Sequence, residues 1–220
     1  MSDSLATLTD KLQALLVDDG TVFSDDACEA GIRQALKDLN FYMPVQAATT
    51  LDTVDAQNLY ELTEADAGAH VLNLYDVLLE DPAGGDLHKS LDFHSHQEDE
   101  RWYFYLHLPQ PAGRTLIVRF TQPHTIEDLD GASDGTLQPE QETVLLDHAA
   151  EIACRQAIAA NASSYWLDAN VGKTYALAAD KFQNAWQLGL AALRSMRRPA
   201  TSQRDTRTWE DPYHNGPALT

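Results

Sequence analysis

The sequence predicts an α+β protein: a mainly α-helical bundle with an antiparallel β-sheet insertion and an extended C-terminal arm. Three observations predict it. Apolar residues recur at steps of three and four near both ends of the chain, the period of a helix with one buried face. Between about residues 45 and 121 the period falls to two, with turn residues between the runs. Beyond residue 198 periodicity stops, although aromatic side chains continue. On this basis residues 1–44 are N-terminal helices and 45–121 the β insertion. Residues 122–198 are a helical hairpin completing the helical domain, and 199–220 a docking arm.

Residues 3–17 place Leu5, Leu8, Leu12, Leu15 and Leu16 at helical spacing, with Asp18-Asp19-Gly20 as the stop. Ser24-Asp25-Asp26 then caps a second helix that buries Ala27, Ile32, Ala35, Leu36 and Leu39 and is stopped by Pro44. Strands are expected over Val45–Val54, Asn58–Leu62, His70–Leu79, Arg101–Leu108 and Arg114–Phe120. Asp81–Asp86 and Pro109–Gly113, rich in Pro, Gly and Asp, supply the turns. Within Arg101–Leu108, Trp102, Phe104, Leu106 and Leu108 share one face and Tyr103, Tyr105 and His107 the other. That alternation fits a sheet with one face on a core and one available to a neighbouring subunit. Leu87–Glu100 reads as a loop. Glu127–Gly135 is a long polar loop of the kind that is more often functional or mobile than idle.

The helical hairpin opens at Pro139 with an acidic first turn. Its first helix lines up Leu145, Ala149, Ile152, Ala153, Gln156, Ala157 and Ala160. Its second, from about Ala169, lines up Tyr175, Ala179, Phe182, Trp186, Gly189, Leu190 and Leu193. Small residues on one helix let the axes approach while aromatics on the other fill the gap. The remainder, residues 199–220, is punctuated by proline yet keeps Trp209 and Tyr213, as an arm that docks in extended form would.

Composition narrows the function. The 220 residues carry a formal net charge of −19, with four basic and twenty-one acidic residues before position 101. The basic minority gathers late, at Arg194, Arg197, Arg198, Arg204 and Arg207. Such a field argues against gripping duplex DNA, which requires phosphate-neutralising Lys and Arg, though not against DNA passing by. The longest apolar runs fall far short of the ~18–20 residues of a membrane span. Cys28 and Cys154 sit in helical apolar patterns with no CxxC and no secretory leader, so synthesis in a reducing cytoplasm is expected.

No catalytic constellation emerges. His88, His94 and His96, beside Glu98, Asp99 and Glu100, are the best candidates for a metal-dependent enzyme, since imidazoles and carboxylates hold zinc-like ions and His94 and His96 share a side if extended. They lack any HExxH or CxxC signature. His107 and His124 have no Ser or Cys in a nucleophile setting, and Gly84-Gly85 and Gly131 lack the Lys-Ser/Thr of a phosphate loop. No cofactor is expected. An acidic DNA mimic would require carboxylates at duplex-like spacing.

The order of parts resembles a known family. The Ala27–Leu39 helix precedes a strand insert holding Tyr75-Asp-Val-Leu-Leu79 and the pair Tyr103–Leu108 and Leu116–Phe120. Then come Gln122-Pro-His124, a helix start at Leu137-Gln-Pro139, the Ala-rich Asp147–Cys154 helix, and a final helix with Tyr175, Phe182 and Trp186 ending in Arg197-Arg198. Over residues 22–198 this is similar to the head-to-tail adaptor (connector, head-completion) proteins of tailed double-stranded DNA bacteriophages, although the strand insert is larger than in the minimal helical adaptors. The resemblance implies a virion neck protein, a homo-oligomeric ring, commonly of twelve subunits, seated below the portal protein and passing the genome to the tail; other neck proteins, a stopper or tail-completion protein, are the nearest alternative. Under it an acidic channel keeps DNA loose, and Arg194, Arg197, Arg198, Arg204, Arg207, Trp209 and Tyr213 contact the portal or a neighbouring ring. Tyr103, Tyr105 and His107 lie between subunits.

Overall fold

The structure, a computed structural model, describes residues 2–17, 22–63, 70–80, 89–99, 101–161 and 169–197. Among these residues four helices and seven strands make an α+β protein: α1 (Leu5–Leu16), α2 (Asp25–Tyr42), β1 (Val45–Asp52), β2 (Leu59–Leu62), β3 (Asn73–Leu79), β4 (Lys89–Ser90), β5 (Phe93–Glu98), β6 (Arg101–Leu106), β7 (Thr115–Gln122), α3 (Pro139–Asn161) and α4 (Ala169–Arg197). They fall into two compact units, Met1–Leu8 with Arg33–Leu137, and Thr9–Ile32 with Gln138–Thr220.

In the first unit all strand pairings are antiparallel, and they build two sheets rather than one, in the orders β1-β7-β3-β4 and β2-β6-β5. The pairing of the strands sets the division, and their inward residues join the two sheets. Tyr60 and Leu62 of β2 and Phe104 and Leu106 of β6 turn the same way, and they meet Leu74, Val77, Leu79, Leu116, Val118 and Phe120 of the larger sheet in one apolar cluster. Tyr60 stacks on Phe104 with ring centroids 5.3 Å apart. β2, β6 and β7 therefore bury alternate residues between the sheets, which is what a period of two encodes, whereas β3, shifted in register between Leu74 and Asp76, buries Val77, Leu78 and Leu79 in succession. β1 pairs with β7 over eight residues and forms one edge of the larger sheet. Its sequence, Val-Gln-Ala-Ala-Thr-Thr-Leu-Asp, holds a single charge.

Three expectations are corrected here. Residues 87–100 are not simply a loop: Lys89–Ser90 and Phe93–Glu98 are strands. Phe93 is the only apolar residue of β5, so no alternation shows in its sequence. Its ladder to β6 and its edge position, with one face in water, make it a strand nonetheless. Leu108 does not join Phe104 and Leu106 inside, because β6 ends at Leu106 and Leu108 is 73% exposed. The strand expected from His70 starts at Asn73.

The second unit is helical. Ser24 caps α2 through its hydroxyl to the Ala27 N–H at 3.3 Å and its carbonyl to the Cys28 N–H at 2.9 Å. α3 begins at Pro139, with the Gln138 carbonyl accepting from Gln141 and Glu142 and the Gln141 side chain returning to the Gln138 N–H at 2.9 Å. α3 and α4 pack on each other along the two predicted stripes. Leu145, Ala149 and Ala153 are buried on α3, and Ala179, Trp186, Leu190 and Leu193 on α4. Gly31 of α2 approaches α3 so closely that a side chain would meet the Ala149 carbonyl at 3.3 Å. α1 ends at Leu16, followed by Val17 with φ 55°; the expected stop at Asp18-Asp19-Gly20 lies outside the described residues, as does the Asp81–Asp86 turn.

Candidate functional site

The outward face of the β2-β6-β5 sheet gathers the candidates of two separate sequence expectations. Register places His94 opposite Tyr105 and His96 opposite Tyr103, while Tyr105 faces Leu59 and Tyr103 faces Glu61 on the other side. Residues opposite one another in an antiparallel pair share a face. Tyr103, Tyr105 and His107, expected between subunits, thus stand in a row beside His94 and His96, expected as possible metal ligands. His96 stacks on Tyr103 with centroids 5.4 Å apart and 18° between planes, and His94 meets His107 edge to face at 4.5 Å and 71°. Tyr105 is 42% exposed, and Leu59, His94, His96 and His107 are exposed with it.

Polar neighbours set the edges of this face. Arg101 donates to Glu61 at 3.0 Å, and that carboxylate, then Tyr103, raises the guanidinium above its ordinary value. Asn58 donates from its amide to the Tyr105 hydroxyl at 3.1 Å, while its carbonyl oxygen is buried and has no hydrogen-bond partner among the described residues. A face carrying two tyrosines, three imidazoles and a leucine, with one ion pair, suits protein association better than solvation, because Tyr supplies contact area at little entropic cost.

The other nominated residues are placed as follows. Arg194 is exposed on α4. Arg197 ends that helix, with its side chain outside the described residues, and Arg198, Arg204, Arg207, Trp209, Tyr213 and the whole of residues 199–220 lie outside them, as does His88. Among the described residues no three His, Cys, Asp or Glu side chains are grouped to hold a metal ion. Among the described residues no helix is long and apolar enough to cross a membrane. Cys28 and Cys154 are both buried thiols, and burial pushes Cys154 up from its ordinary value, so it is a poor nucleophile.

An open cleft of about 1170 Å3 lies within the first unit, between the later turns of α2 and the 123–132 segment. Sequence analysis missed it, since its walls are far apart in the chain. The polar 127–135 loop forms part of one wall and is folded: Asp128 donates to the Ala132 carbonyl at 2.9 Å, and Ala132 donates to the Leu129 carbonyl. Arg33 grips Asp130 at 3.0 Å. His124, 4% exposed, has one ring nitrogen 2.9 Å from the Met43 carbonyl and the other 3.3 Å from the Thr136 hydroxyl. Its imidazole ties the segment after β7 to the end of α2, the satisfied role of a buried polar ring.

No protein-family model matches the sequence, and no curated protein matches it. A chain of the solved structure described as "Neck of empty GTA particle computed with C6 symmetry" is similar at 16% identity, covering 66% of this chain and 87% of that one, with a TM-score of 0.31. It is a likeness and assigns no family.

Proposed function

We propose that this chain is a structural protein of the neck of a tailed-phage-like particle, a head-to-tail adaptor whose copies stand side by side in a ring between portal and tail. The observation that carries the proposal is the outward face of the small sheet. Tyr105, His94, His96 and His107 stand exposed there beside the half-buried Tyr103, in a chain otherwise dominated by carboxylates. Repetition around an axis needs a heterologous contact, and such a face supplies one half of it. The order of helices, strand insertion and helical hairpin is the order that the adaptor resemblance requires.

Charge supports the same reading. A duplex sliding through a ring must not adhere, and a surplus of carboxylates keeps it loose by denying its phosphates cationic partners. The arm at 199–220, with Arg204, Arg207, Trp209 and Tyr213, is the segment that docks on the portal or on the next ring, together with Arg194, Arg197 and Arg198, because Arg and aromatic residues dominate interface energetics. Electron microscopy of the purified protein, alone and mixed with portal, tests this. Rings, of twelve subunits in the family pattern, are the expected result; single particles in both samples would refute it. Removing 199–220 should abolish portal docking while leaving the fold's circular dichroism intact, and normal docking by the shortened chain would refute the arm's role.

A further inference from the structure

We propose that His94 and His107 form a two-histidine site for a borderline divalent transition metal ion of the Cu2+ or Ni2+ class. Neither sequence spacing nor the expected His88/His94/His96 group points to this pair, because thirteen positions separate its members. The fold joins them. His94 lies on β5, His107 follows β6, and the His107 N–H donates to the Asp92 carbonyl at 3.2 Å, which continues the β5–β6 ladder one step past the strand ends.

The two rings already touch, with centroids 4.5 Å apart and planes at 71°. Rotation of the two exposed side chains turns one nitrogen of each toward a shared ion, and imidazole donors suit Cu2+ and Ni2+, the former at the top of the divalent affinity order. Both rings are exposed, so an ion reaches them from solvent and water completes its shell. Asp92, two residues before His94, adds negative charge at this end of the strand. His96 stacks instead on Tyr103.

Isothermal titration of the full-length, untagged protein with NiCl2 or CuCl2 alone in a non-coordinating buffer tests the site. His94→Ala and His107→Ala should each weaken binding by about tenfold or more, the scale by which site changes alter metal affinity, whereas His88→Ala and His96→Ala should leave it unchanged. Copper electron paramagnetic resonance should show two coordinated nitrogens in the parent chain and fewer in either single variant. Equal affinity in the His94→Ala/His107→Ala double variant, or loss on changing His88 or His96 but not His107, would overturn the assignment. Unchanged melting of the four variants shows that each reports on the ion and not on folding. Titration at a concentration where the chain is monomeric keeps this result separate from the neck proposal, whose subunit contact would cover the same face.

Discussion

His148 of α3 lies flat against Trp186 of α4, with ring centroids 4.3 Å apart and planes 10° from parallel. The stack is braced from the side. The His148 ring nitrogen sits 3.0 Å from Glu151, which accepts from Arg155 at 2.8 Å, and Arg155 reaches across to Gln183 of α4 at 3.1 Å. The helical pair is thus held by an aromatic contact at its centre and a polar relay beside it.

Truncating the indole should be the more damaging of the two changes at that stack. Trp186 is 6% exposed, so Trp186→Ala removes a buried aromatic and leaves a cavity, a loss of about 3–5 kcal/mol. His148→Ala should cost less, because its ring is smaller and partly exposed. Urea unfolding followed by circular dichroism gives both values, and a Trp186→Ala midpoint equal to that of the parent chain would contradict the packing described.

Gly189 marks a close approach of the two helices. A methyl group there would lie 2.5 Å from Val144 Cγ2. Gly189→Ala should gain helix propensity yet lose stability overall, by about 1–3 kcal/mol, through overpacking. Val144→Ala made in the same chain should recover much of that loss. The double-mutant cycle checks it: additive costs would show that the two positions do not share the gap.

Burial raises the Asp147 carboxyl above its ordinary value. The folded chain therefore holds this proton more tightly than the unfolded chain. Its contribution to stability is present below the ordinary carboxyl range and is lost as pH rises through the raised value. At neutral pH the charge is carried at a cost, so Asp147→Asn should raise the melting temperature slightly at pH about 7 and do nothing at pH about 3. A melting temperature lowered at neutral pH would reverse the sign.

Replacing Tyr103 and Tyr105 together by Ser should leave melting nearly unchanged while dispersing the assembly. Their hydroxyl-bearing faces point outward, whereas Phe104 and Leu106 between and beyond them hold the core. Analytical ultracentrifugation or imaging decides it, and rings formed by the double variant as readily as by the parent would remove this face from the contact.

Much of this fold was legible because its periods are clean. Ser24, Pro139 and the Trp186 stripe each announce a helix through a local rule, and the Phe104/Tyr105 alternation announces which side of β6 is inside. What escaped was non-local. β5 has no apolar rhythm and is a strand because β6 lies beside it. The division into two sheets depends on which strands pair, and no single strand encodes that. The cleft has walls from α2 and from residues 123–132, and His124, legible as a histidine, acts as a clasp only because Met43 and Thr136 come to it. For the candidate face, Tyr103, Tyr105 and His107 could be assigned together from alternation, but their company with His94 and His96 required the β5–β6 register.

The outer side of β1 has one further consequence. Eight residues long, in unbroken register with β7 and bearing only Asp52 as a charge, it has no strand on its outer edge among the described residues, and it lacks the lysines, prolines or bulges by which natural sheets guard their margins. Concentrated stocks of separate chains would then be prone to stack rung upon rung through this border. A lysine in place of Ala48 or Thr50, both turned to solvent, should keep such stocks clear in light-scattering measurements without altering melting.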